Sequence, residues 1–80
     1  EHQGELSEIH ELILYNDDVN SFDFVIDTLI EVCSHDPLQA EQIALVAHYK
    51  GKCAIKTGNF KILKSYGNKL SKLGLTITIE

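Results

Sequence analysis

Eighty residues, 44% of them hydrophobic, fill one small core and leave no room for a second domain. Seven basic residues against twelve acidic ones give a net charge of −5, which excludes sequence-independent nucleic-acid binding through clustered positive charge. No apolar run approaches the roughly 18 residues of a membrane helix. The two cysteines are too few for the disulfide framework of a small secreted domain, so a cytoplasmic chain with reduced thiols is expected. The basic residues are all lysines and lie between Lys50 and Lys72.

Residues 1–8, EHQGELSE, are polar and aperiodic, and read as a flexible N-terminal lead-in to a core domain over 9–80. Residues 9–15, IHELILY, are apolar enough for a strand, which stops at Asn16-Asp17-Asp18. Phe22, Val25, Ile26, Leu29, Ile30 and Cys33 then fall on one helical stripe. Asn20 or Ser21 is the natural N-cap, and Asp23 suits the first turn.

Asp36-Pro37 opens a second helix, with Asp36 as cap, Pro37 in the first turn and Gln39 as capping-box partner. Ala40, Ile43, Ala44 and Ala47 give this helix a small-residue face. It ends near His48-Tyr49-Lys50, where Gly51 can adopt the left-handed conformation. Lys52–Thr57 reads as a second strand and Gly58-Asn59 as a break. Leu63, Tyr66, Leu70 and Leu73 define a third helix closed by Gly74. Leu75, Ile77 and Ile79 alternate with polar residues in a last, half-buried strand. The order β-α-α-β-α-β predicts an α+β fold. It is a small α/β sandwich with a three-stranded antiparallel sheet and three helices.

Asn16, Asp17 and Asp18 are side-chain acceptors in a row. As turn formers they fit a strand-to-helix connection. As acceptors they also fit a site for a cation. His48, in the last turn of the second helix, is a distant candidate to complete such a site. Three adjacent residues cannot wrap one metal ion. Cys33, His35, His48 and Cys53 lack the paired spacing of zinc modules, so neither metal nor cofactor is expected. Ser21 near the carboxylates has no Gly-x-Ser-x-Gly context, and Cys33 lies on an apolar stripe, so no enzyme is expected. Acceptors beside apolar Phe22, Val25 and Leu75 suit a ligand with a cationic head and an apolar body, such as a free protein N-terminus.

The stretch LYNDDVNSFDFVIDTLIEVCSHDPLQAEQIALVAHYKGKC, Leu12 to Cys53, resembles the core of the ClpS family. These are adaptors that hand N-end-rule substrates to a Clp AAA+ protease. The Asn-Asp-Asp turn, the Phe-Val-Ile helix start and the His-Tyr-x-Gly-Lys ending carry the resemblance. It implies that Asn16 and His48 hydrogen-bond the α-ammonium of a substrate with a bulky hydrophobic N-terminal residue. Asp18, with Asp17, would add negative charge. Phe22, Val25, Ala44, Ala47 and Leu75 would line the side-chain pocket, and Asn20 would contact the peptide backbone. The implied partners are N-degron proteins and the N-terminal domain of a ClpA-like AAA+ unfoldase. A monomer is expected because the sequence shows no obvious extra apolar face.

The sequence departs from the family at two places. Phe22 stands where methionine is common, and Asn20-Ser21 where Thr-Pro is common. The family also delivers cargo through an N-terminal extension, of which at most about ten residues precede the first strand here. The same architecture with an acidic face resembles the C-terminal domain of the ribosomal stalk protein. That resemblance supplies the alternative, an interaction module of a larger assembly.

Overall fold

The computed structural model describes residues 8–80. The expected lead-in over residues 1–8 therefore lies, save Glu8, outside the described residues. The strand β1 (His10–Tyr15) occupies the middle of a three-stranded sheet. Two helices follow it, α1 (Phe22–Cys33) and α2 (Pro37–Lys50). The chain then forms β2 (Lys52–Gly58), α3 (Phe60–Lys72) and β3 (Thr76–Ile79). Both outer strands run antiparallel to β1, in the order β2-β1-β3. The fold class and element order are those expected.

Leu12 and Leu14 point to the helix side of the sheet and join Leu29, Leu63 and Leu70 in a fully enclosed core. Ile13 alternates to the other face and is buried as well. Burial of each leucine contributes about 1.5–3 kcal/mol. Helix α3 lies close to the sheet because Gly67 sits at its contact. A Cβ there would come within 3.1 Å of Ile77 Cδ1 and 3.6 Å of Leu12 Cδ1.

Local signals set the helix ends. Ser21 is the N-cap of α1, its Oγ accepting from the Phe24 N–H at 3.1 Å. Asp36 caps α2 by accepting from Gln39 N–H at 2.9 Å, ahead of Pro37. Gly51 closes α2 at φ 95°, a conformation that costs a residue with a Cβ. Asn59, expected as part of a break, caps α3 through the Ile62 N–H.

Two boundaries differ from expectation. The last strand begins at Thr76, because the Leu75 N–H is spent on Leu70 O at 3.1 Å and finishes the helix instead. β1 begins at His10, with Ile9 exposed. The β1–β2 register also slips. Leu12 pairs with Lys56 and Ile13 with Ala54, so Ile55 is bulged out of the ladder. Buried His35 compensates, with its Nε2 lying 3.0 Å from the Ile55 carbonyl oxygen. A carbonyl only accepts, so Nε2 carries the proton.

Candidate functional site

Asn16 leaves β1 with its backbone N–H donating to Gly51 O at 2.9 Å. That bond ties the strand end to the C-terminus of α2 and sets Asn16 beside the last turn, which carries His48.

The loop then folds around the Asp17 carboxylate. Oδ1 accepts from the N–H groups of Val19 and Asn20, each at 2.9 Å. Oδ2 accepts from Asn20 Nδ2 at 3.0 Å, and Thr76 Oγ1 lies 3.5 Å away. These donors, the Asn20 backbone N–H foremost, hold the Asp17 carboxyl below its ordinary 3.8. It is a fixed anion at neutral pH. Asn20 Nδ2 also donates to Gly74 O at 2.8 Å, which anchors the loop to the turn before β3. The segment 16–20 is thus fastened at Gly51 and at Gly74.

Between this loop, α1 and α2 opens a cavity of about 440 Å³. Its floor is apolar and buried: Leu14, Ala44, Ala47 and Leu75. Phe22 and Val25 of α1 form one wall, with the Phe22 ring 39% exposed at the mouth. Asn16, Asp17, Asn20 and His48 supply the polar part of the lining. The alanines make the depth of the cavity, since larger side chains at those α2 positions would occupy it.

The expected site residues converge here with one exception. Asn16, Asp17, Asn20, Phe22, Val25, Ala44, Ala47, His48 and Leu75 all line the cavity, whereas Asp18 is exposed and lies outside the lining. The carboxylate pair therefore splits: Asp17 turns into its own loop, and Asp18 is exposed. Asn20 is anchored on both sides. Both its amide hydrogens are committed, to Asp17 and Gly74, which leaves its Oδ1 to offer.

Leu14, Tyr15, Leu45 and Tyr49 line the cavity too and were not anticipated. For two of them the sequence held a signal. Leu45 and Tyr49 are four apart on α2 and flank the pair Ala44 and His48, so they share that face. Tyr15 had no assigned role. Its hydroxyl donates to the Glu80 carboxylate at 2.7 Å, tying β1 to the end of β3. That bond lowers the Glu80 carboxyl from its ordinary value.

The arrangement can hold a cation over an apolar body. It offers no activated nucleophile among the described residues. The Ser21 hydroxyl caps α1, and burial pushes the Cys33 and Cys53 thiols up. No three His, Cys, Asp or Glu side chains converge on a metal position among the described residues.

Acceptors above an apolar floor, held on a sheet-and-helix frame, have the make-up of a binding pocket for one side chain and its charged backbone group. The chain belongs to the ClpS family: the family model for "ATP-dependent Clp protease adaptor protein ClpS" matches residues 5–78. Among curated relatives, the ATP-dependent Clp protease adapter protein ClpS of Escherichia coli O1:K1 / APEC is 41% identical over 51 residues. That match covers 61% of this chain and 48% of the relative. The ClpS of Cronobacter sakazakii matches with the same figures. The chain spans about half the length of the curated relatives it matches. A structure of Agrobacterium tumefaciens ClpS2 bound to L-phenylalaninamide superimposes with a TM-score of 0.88 at 22% identity. It covers 91% of this chain and 95% of that one, and the two share a fold.

Proposed function

We propose that this chain is an adaptor that binds proteins by a bulky hydrophobic N-terminal residue and passes them to a Clp AAA+ unfoldase and protease. In this reading it works as a cytoplasmic monomer and engages the N-terminal domain of a ClpA-like unfoldase. The observation that carries the proposal is the single cavity combining the acceptors Asn16 and His48 with a buried apolar floor. The ligand of the Agrobacterium relative, L-phenylalaninamide, has the matching chemistry: a free amine beside an aromatic side chain.

The physics supports such a ligand. An α-amine with a pKa of about 7.7–8.0 is mostly protonated near neutrality and presents three donors. Asn16 Oδ1 and an unprotonated ring nitrogen of His48 accept two of them. Asp17 supplies a fixed negative charge close by without surrendering its own loop bonds. Each charge-assisted bond contributes roughly 1.5–3 kcal/mol, and burying a Leu or Phe side chain adds about 1.5–3 kcal/mol. Association costs of at least ~4 kcal/mol offset much of this. The balance is reversible binding, which suits a protein that must release its cargo.

The side-chain half of the reading is tested with peptides that differ only in their first residue, titrated calorimetrically. Leu and Phe are expected to bind at least about ten-fold tighter than Ala, since the cavity floor gains little from a single methyl group. Equal affinity across the series would overturn the proposal.

A further inference from the structure

Beyond the pocket, the rim carries apolar surface that the amine and the first side chain do not use. Tyr49 is 78% exposed, and Leu45 is 39% exposed. Both border the same cavity as the acceptors and the apolar floor. They are one helical turn apart on α2 and form a continuous ledge. The Tyr49 ring stands edge-on to His48, with ring centroids 5.0 Å apart and planes at 80°. The ledge is thus fixed to an acceptor of the site. An exposed tyrosine and leucine side by side at a cavity mouth contribute little to the core and await a cover.

A ligand whose amine is held between Asn16 and His48, with its first side chain in the cavity, must carry its chain outward across the rim. The rim on the loop side is polar: Asn16, Asp17 and Asn20. The α2 side offers Tyr49 and Leu45. We infer that this ledge is a second subsite, which selects an apolar or aromatic side chain on the residue that follows the N-terminal one. The inference rests on the N-terminal recognition proposed above and adds a preference to it. Tyr49 suits the task because its ring is large, has few rotatable bonds to immobilise and is already braced against His48.

The test compares two peptides that share an N-terminal Leu and differ at the second residue, Phe against Gly, by fluorescence anisotropy. The protein is taken unaltered and as Tyr49→Ala, Tyr49→Phe and Leu45→Ala. The expected result is that Leu-Phe binds about five-fold tighter than Leu-Gly to the unaltered protein. That ratio should fall below about two in Tyr49→Ala, decrease in Leu45→Ala and persist in Tyr49→Phe. A ratio near one in the unaltered protein would overturn the inference, while tight binding of both peptides would leave N-terminal recognition standing. A Tyr49→Ala change that weakens both peptides by the same factor would also overturn it, because that result marks support of His48 instead of a subsite. Failure of both peptides to bind the unaltered protein would remove the N-terminal reading and the subsite with it.

Discussion

Asp17 shows how one carboxylate can order the loop that borders a cavity. Four donors surround it, so its loop and the position of Asn16 depend on its charge. Its carboxyl is held below the ordinary 3.8, which fixes the direction of its pH effect. A carboxyl depressed in the folded state stabilises the fold above the unfolded value near 4. It loses that contribution as pH falls through the lower folded value. Asp17→Asn keeps one acceptor oxygen and loses the charge. Urea denaturation is expected to show the variant less stable by about 1 kcal/mol at pH 7, after allowing for solvent screening. The gap should close toward pH 3. A gap that is equal at both pH values would contradict the role assigned to the charge. The loop role was not legible beforehand, because Thr76 lies 59 residues further on and Asn20 takes its place in the loop through Gly74.

Among the elements, the ends governed by local chemistry could be read directly. Asp36-Pro37 and Gly51 bound α2 as expected, since capping needs only neighbours in sequence. Non-local pairing was hidden. The bulge at Ile55 exists only in register with β1, and nothing in Lys52–Thr57 announces it. The end of α1 is a second case. It closes without a glycine, on Ser34 at φ 60° and ψ 27°, with the Ser34 N–H returning to Leu29 O. The left-handed conformation strains a residue with a Cβ. The turn is held because His35, the next residue, is buried against the Ile55 carbonyl. Ser34→Gly should relieve that strain and raise stability by about 0.5–1 kcal/mol, seen as a Tm increase of a few degrees. A lower Tm would show that the Ser34 side chain contributes more than its backbone costs.

The site is assembled from β1, the loop after it, α1, α2 and Leu75, brought together by the sheet order β2-β1-β3. Composition and residue type alone favoured a polar turn over a cation site at Asn16–Asp18. The fold places Asn16 and Asp17 in the turn and in the cavity lining, with Asp18 exposed outside that lining. The resemblance carried by the stretch from Leu12 to Cys53 supplied most of the cavity lining. The ledge residues Leu45 and Tyr49 fall inside that stretch, but their exposure at the cavity mouth becomes apparent only once α2 is seated in the fold. The lysines fall in the other half of the chain, on α3, β2 and the end of α2, so the half that carries the site is the acidic one. That charge arrangement favours approach of a cationic chain end. The proposed adaptor function requires that the site read a free α-amine. A Leu-initiated peptide should therefore be titrated in two forms, with its N-terminus free and acetylated. Acetylation removes the charge and two of the three donors, and is expected to weaken binding at least about thirty-fold. Equal affinity for the two forms would contradict it.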